Sequence, residues 1–221
     1  TLQFQSLAGP SALAGIRSSK IIPTFTYNTV NNPINPTQGK SLYLGLTVEG
    51  LGGNVRTISP VMDAKYFRPH YHGRNVIALH FQTSFATGYG GRVLPPYNRW
   101  FLGGEQDLRG FDVRSVAPIA YVPVATSASF NYLDPTRLDI DGNPTTQSVS
   151  VPTLVYQITF PGGDTQGVLN AEYRIPIAGP VTIAGFTDIG TTGVFKRNQL
   201  QLDPANFASL SSQFPGASLT N

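Results

Sequence analysis

The residues best suited to chemistry crowd into one stretch, Leu94 to Phe111, which reads Leu-Pro-Pro-Tyr-Asn-Arg-Trp-Phe-Leu-Gly-Gly-Glu-Gln-Asp-Leu-Arg-Gly-Phe. Glu105 and Asp107 suggest an acid–base couple. Glycoside chemistry, however, needs two carboxylates facing each other across a defined cleft, and nothing beside this pair builds one. Gly103-Gly104 is not a phosphate cradle, because no helix pattern follows and no Lys-Ser/Thr pair is near. His80 has no second ligand at metal spacing, and His70 and His72 flank Tyr71 in a short turn, too few donors for a zinc site. Asp139-Ile140-Asp141-Gly142-Asn143 opens like a calcium loop but lacks the closing glutamate. The chain has no cysteine, which removes thiolate sites and disulfides. What remains is electrostatic. Arg109, if withdrawn from water, must find anionic partners, because an unpaired buried guanidinium is unfavourable. No cofactor is implied, and the expectation is of a protein that is not an enzyme.

The elements that must position Arg109 are strands. Charged residues make up 12% of the 221-residue chain and hydrophobic residues 40%, about half the usual charged share of a soluble domain. That balance suits a wall with lipid on one side and water on the other. The net charge of +3 is interspersed along the sequence, so there is no electrostatic footprint for nucleic acid. No apolar run approaches the roughly 18 residues a membrane helix needs, so any membrane crossing falls to strands. Thr1–Ser6 carry neither a basic nor an apolar leader. A protein bound for an outer membrane needs one, so the expectation is that it was removed or that the chain starts within a longer protein.

Period-two alternation is the dominant pattern. Leu42, Leu44, Leu46 and Val48 share one face; so do Ile77, Leu79, Phe81 and Phe85, and again Leu169, Ala171, Tyr173 and Ile175. Their alternate neighbours, including His80, Gln82, Asn170, Glu172 and Arg174, are polar. Because side chains flip at each strand residue, each segment has one apolar and one polar face. The alternation predicts strands over 1–8, 17–28, 40–50, 55–67, 75–87, 165–177 and 180–194. Compact turns at 31–39, 68–73 and 178–180 mark one rim. The connection from Gly88 to Asp164 is too long for an ordinary loop, and residues 195–221 read as the start of another outer loop. Short turns at one rim and long loops at the other are the pattern of an antiparallel transmembrane β-barrel. An odd count of strands with unpaired edges implies part of a larger barrel.

The Leu94–Phe111 stretch resembles the surface-antigen barrel family that includes BamA, TamA and the two-partner secretion pores. That family carries an aromatic pair, Gly-Gly and a [Val/Leu]-Arg-Gly-[Phe/Tyr] tip on a loop folded back into the barrel. The matching residues are Trp100-Phe101, Gly103-Gly104 and Leu108-Arg109-Gly110-Phe111. Tyr27-Asn28-Thr29 with Asn31-Asn32-Pro33 and Pro36-Thr37-Gln38-Gly39 is similar to a strand–turn element of the family two hairpins earlier. Ala171-Glu172-Tyr173-Arg174-Ile175-Pro176 resembles its Glu-bearing strand, and Phe186-Thr187-Asp188-Ile189-Gly190 its Phe-x-Asp-x-Gly strand. The order and approximate spacing fit over residues 17–194. Residues 113–150 match no family pattern and read as an extracellular insertion.

Alternation counted from Leu169 and Tyr173 places Glu172 on the polar face, and alternation from Val181 and Ile183 places Asp188 there too. Strands about 5 Å apart let both acids reach one guanidinium fork, and the resemblance implies the same pairing, with Arg109 docked on Glu172 and Asp188. Gly110 would permit a tight bend and Phe111 would be an apolar anchor. The bland alternatives are a solvated Arg109, ordinary polar residues at Glu172 and Asp188, and an aromatic girdle at Trp100 and Phe101 rather than loop packing.

The resemblance implies that residues 1–221 are part of one C-terminal barrel domain of about sixteen strands, with strands in 1–87 and 165–194 and a lumen-inserted loop within 88–164. Periplasmic polypeptide-transport domains and the barrel's lateral seam are expected elsewhere in the parent protein. It further implies a bacterial outer membrane, unfolded β-barrel clients, lipid, periplasmic chaperones and accessory lipoproteins as partners. The function expected is assembly of outer-membrane proteins. A secretion pore of the same family, or a barrel fused to a lipase-like enzyme, are the alternatives.

Overall fold

In the computed structural model, which describes residues 15–219, strands form where alternation predicts them. The expected strand 17–28 is split into β1 (Lys20–Ile21) and β2 (Thr24–Asn28). Pro23, which has no N–H to give a ladder, sits in the break. β3 (Gly39–Glu49) and β4 (Thr57–His70) follow. Next come β5 (Asn75–Phe85) and β6 (Thr87–Gly88), divided at Ala86, whose N–H turns to the Asp164 carbonyl at 2.7 Å. The weak strand expected over Thr1–Ala8 lies outside the described residues.

The long connection is not featureless. It contains β7 (Ala120–Leu138) and β8 (Pro144–Thr159), an antiparallel hairpin closed by the Asp139–Asn143 turn. There the Asp139 carboxylate accepts from the N–H groups of Asp141 and Asn143 at 3.0 and 2.8 Å, a side-chain turn rather than a calcium loop. Alternation hid this hairpin because Ser and Thr fill both faces and Pro123, Pro135 and Pro152 interrupt the runs. Then come β9 (Thr165–Ala178) and β10 (Val181–Gly193). Residues 195–221 were expected to be loop, but they include a helix, α1 (Pro204–Gln213). Its start signal was present in Asp203-Pro204, a cap-type residue followed by proline at the first helical position.

Two compact units result, one of residues 1–119 and 160–203, the other of 120–159 and 204–221. The first holds an antiparallel sheet in the order β1 and β2, β3, β4, β5, β9, β10, with β6 alongside β4. β5 therefore neighbours β9, although the hairpin intervenes in sequence. Strands of 11 to 14 residues in β3, β4, β5, β9 and β10 meet the length a tilted strand needs to cross a bilayer. The second unit is the β7–β8 hairpin and α1, which touches β7.

The register fixes which side chains can meet. Ser41, Lys65, His80, Asn170 and Asp188 form one rung across five strands. The next rung carries Phe67, Ala78, Glu172 and Phe186. The opposite face shows Leu44, Leu79, Phe81, Leu169 and Ile189 to the surroundings, with Leu79 40% and Ile189 62% exposed. So continuous an apolar face marks an interaction surface rather than ordinary protein exterior. A buried apolar cluster forms instead on the polar face, where Leu102, Leu108 and Val168 pack with Val116.

Because Ala120 pairs with Thr159 at the hairpin's base, residues 121–158 are removable as a unit. Replacing them by a short turn is expected to shift the thermal transition of the sheet by less than about 4 °C, roughly 1 kcal/mol for a chain of this size. Loss of the cooperative transition would show the hairpin to be integral to the sheet.

Candidate functional site

The site begins with a tight excursion of the chain between Trp100 and Val116. Leu102 and Val116 exchange backbone hydrogen bonds of 3.0 Å in both directions. The chain then turns back at Gly103 and Gly104, with φ of +118° and +110°. A β-carbon on Gly103 would lie 2.2 Å from the Asp112 carbonyl oxygen, so the Gly-Gly pair is a backbone requirement. Gly104 N–H then closes the tip on the Phe111 carbonyl at 3.0 Å. Trp100 and Gly163 exchange a second pair of bonds, at 2.9 and 2.8 Å, and the Phe101 ring fills the space over Gly162. The Arg114 guanidinium covers Phe101 at 4.1 Å. The Trp100 backbone and the Phe101 ring thus hold the root of the loop.

At the tip, Arg109 meets both acids of the polar face. Its Nε donates to Asp188 Oδ2 at 2.7 Å and its Nη2 to Asp188 Oδ1 at 2.6 Å, a bidentate fork. Nη1 donates to Glu172 Oε1 at 2.5 Å. The backbone N–H of Arg109 adds a bond to Asp188 Oδ2 at 3.1 Å. The other Glu172 oxygen is held by Arg174 at 2.7 Å. Asp188 is 4% exposed and Arg109 26%, so the pair lies between a solvated bridge, worth about 0–1 kcal/mol, and a buried one, whose rupture costs about 3–5 kcal/mol. Hydrogen bonds to Asp188, reinforced by Glu172, raise the Arg109 pKa above its ordinary value despite partial burial.

Two contacts on the same strand escaped the sequence reading. The Arg109 guanidinium lies 3.8 Å from the centre of the Phe186 ring, a cation–π contact. At Gly190 a β-carbon would come within 2.8 Å of Leu108, so the glycine leaves room for Leu108 to seat. Residues 186, 188 and 190 share one face of β10; the Phe-x-Asp-x-Gly pattern therefore supplies a ring, an acid and a gap to three parts of one loop. Leu108, 4% exposed, is the apolar anchor. Phe111 was expected in that role, but the residue is 56% exposed and its backbone carbonyl makes the contact. Gly110, at φ +86°, makes the bend.

A second anchorage was also missed. Glu49, 1% exposed at the end of β3, accepts from Ser18 Oγ at 2.7 Å, Lys20 Nζ at 3.0 Å and Asn98 Nδ2 at 2.7 Å, and from Thr57 Oγ1. Asn98 brings the loop's approach segment to that carboxylate. Arg99 is 6% exposed and donates through Nη2 to the carbonyls of Leu94 and Gln199. Burial lowers its pKa to about 10, against the pull of Asp164. Asp164 itself, fully buried, accepts from the N–H groups of Phe195 and Lys196 at 2.7 Å. A lone acid at a strand end carries no sequence signal for such roles. Glu105 lies exposed on the loop and Asp107 contributes its backbone carbonyl, which accepts from Asn170 at 2.8 Å. His70 closes β4 rather than lying in the turn, and its Nδ1 is 2.9 Å from the Tyr173 hydroxyl.

The sequence model of the Omp85 superfamily domain matches residues 16–211. Among solved structures, the crystal structure of BamA from Haemophilus ducreyi lacking POTRA domains 1–3 superposes with a TM-score of 0.58 at 19% identity, over 90% of this chain and 32% of that one. The present chain thus spans about a third of that relative's length, and the likeness is one of fold.

Two substitutions probe the tip. In a thermal-melt cycle, Arg109→Ala and Asp188→Ala are expected to couple by about 2 kcal/mol; additive losses would argue against direct contact. Gly190→Val is expected to displace Leu108 and unseat the tip, read as faster amide exchange at Arg109. Unchanged exchange would mean the gap at Gly190 is not needed.

Proposed function

Because the chain belongs to the Omp85 superfamily, matched by that domain from residue 16 to residue 211, we propose that it forms part of an outer-membrane β-barrel that inserts or translocates other proteins in a bacterial outer membrane. The finer reading is a BamA-like assembly factor. The apolar face of β2–β5, β9 and β10 meets lipid, the polar face lines the lumen, and the 100–116 loop is docked inside as a plug. Residues 1–221 are one stretch of the barrel domain, and polypeptide-transport domains and the lateral seam belong to the rest of the parent protein. No enzymatic step is assigned.

One observation carries this reading: a loop arginine forked on two acids that project from neighbouring strands of the polar face. A barrel wall with lipid outside disfavours charge on its outer side, so the pairing supports a loop seated on the inner one. With the loop held, the wall beside β10 has a defined shape, and a weakly paired seam elsewhere in the barrel offers strand edges to unfolded β-barrel clients by β-augmentation. Periplasmic chaperones and accessory lipoproteins would deliver and receive such clients. The Tyr27–Gly39 strand–turn element favours assembly over secretion. There the Asn31 side chain bonds Thr37 and Gln38, and a β-carbon on Gly39 would collide with the Thr29 carbonyl.

The test is reconstitution of the full-length parent protein in lipid vesicles with an unfolded barrel client, scoring folding by resistance to protease. Arg109→Ala is expected to slow client folding about tenfold, and Arg109→Lys to restore little, since an ammonium cannot make the planar fork. Client folding at the unaltered rate in Arg109→Ala would sink the reading. Passage of soluble polypeptide into the vesicle, without insertion of the client, would replace assembly by secretion.

A further inference from the structure

The lock does not end at Asp188. Asn170 Nδ2 donates to Asp188 Oδ1 at 2.9 Å and to the Asp107 carbonyl, on the loop, at 2.8 Å. Both partners are pure acceptors, so the Asn170 amide has one sensible orientation and its Oδ1 must point the other way. It points at His80, whose Nδ1 is 2.8 Å away. The second ring nitrogen of His80, Nε2, is 2.8 Å from Asp63 Oδ2. An imidazole between two acceptors satisfies both only when both nitrogens carry hydrogen, that is, as the imidazolium. Either neutral tautomer sets a lone pair against an oxygen. The chain Asp63–His80–Asn170–Asp188–Arg109 therefore runs across β4, β5, β9 and β10 to the loop tip.

We propose that His80, which does not itself touch Arg109, is a positioning residue for the lock: protonated and clamped between Asp63 and Asn170, it fixes the amide that braces Asp188 and the loop backbone, so that loop docking is stabilised by a proton. The inference rests on the reading of the loop as a docked plug. It follows that docking is strongest where the imidazole carries both ring protons and weakens as rising pH removes one, because a neutral ring cannot donate to Asp63 and to the Asn170 carbonyl oxygen together.

The surroundings of His80 are consistent with this assignment. It borders a groove of about 730 Å³ on the polar face. β4 presents Asp63 and Lys65, the latter 3.7 Å from the Asp63 carboxylate. β9 presents Glu172 and Arg174, already joined to each other and to Arg109. The loop presents Glu105, Asp107 and Arg109, and β10 contributes Asp188 through Asn170. Of these side-chain types imidazole alone ordinarily changes charge near neutrality, so a pH step in docking there reports His80.

The experiment uses the full-length parent protein in lipid vesicles, in a cysteine-free background. Leu108→Cys, at a position 4% exposed in the docked tip, serves as the reporter. Its rate of labelling by a water-soluble maleimide is measured at about pH 6 and pH 9 and corrected for thiolate fraction. The corrected rate is expected to rise about fivefold or more at the higher pH, the low end for coupled sites. In His80→Gln the step should vanish. In Asp63→Asn, which removes the demand for a second ring proton, it should shrink. Asp188→Asn is the control for the lock and should raise labelling at both pH values. If Asp188→Asn labels like the unaltered protein, the plug reading itself fails. If Asp188→Asn releases the loop but the pH step is absent in the unaltered protein, or survives in His80→Gln, the role of His80 is overturned while the lock stands.

Discussion

A guanidinium on a loop comes to rest against a β-sheet only where the sheet returns what water gave it. Here Asp188 offers both oxygens to the Arg109 fork and Glu172 offers a third, and the Phe186 ring covers a face of the guanidinium plane. Among the described residues Asp188 accepts four donors, from three Arg109 nitrogens and Asn170, so the acid is saturated by the loop and its own sheet. Without the loop, a nearly buried carboxylate would face the groove with one partner among these. Loop and sheet thus satisfy each other, and this mutual dependence explains why the apolar cluster of Leu102, Leu108 and Val168 forms on the polar face.

That arrangement requires a particular strand pairing. A one-residue slip between β9 and β10 would carry Asp188 to the apolar face, and the Asn170–Asp188 rung is what prevents the acids from separating. The same rung continues through His80 to Lys65, so polar side chains are joined across strands on that face, while the other face is chiefly apolar along its middle and has polar contacts such as His70 with Tyr173 at the end of β4. The wall has two chemistries because its strands alternate, and the loop reads only one of them.

Much of this was legible in the sequence. Alternation gave the six strand paths from Lys20 to Gly193 within a few residues, and counting faces put Glu172 and Asp188 on the same side of adjacent strands. Resemblance singled out the Leu108–Phe111 tip, which alternation could not do, because a loop has no period. The β7–β8 hairpin was hidden by Ser and Thr on both faces, and α1 by a short helix in a polar tail. Phe186 and Gly190 stand in the Phe-x-Asp-x-Gly pattern, and i, i+2, i+4 spacing about Asp188 puts them on its face, but the spacing alone does not say what a ring and a gap are for. Glu49, Asp164 and Gln199 were beyond reach: Asp164 and Gln199 bond backbone N–H groups, and Glu49 bonds side chains, brought from distant segments, and no local residue pattern encodes such meetings.

The measurement closest to the central claim is a disulfide between Leu108→Cys and Gly190→Cys in the membrane-embedded parent protein. Leu108 already lies within 3.0 Å of where a β-carbon at position 190 would be, so mild oxidation should join the two quickly, with the yield falling sharply when Arg109 is also replaced by alanine. Cross-linking that fails with Arg109 present, or proceeds equally well without it, would contradict an account in which that arginine seats the loop on the sheet.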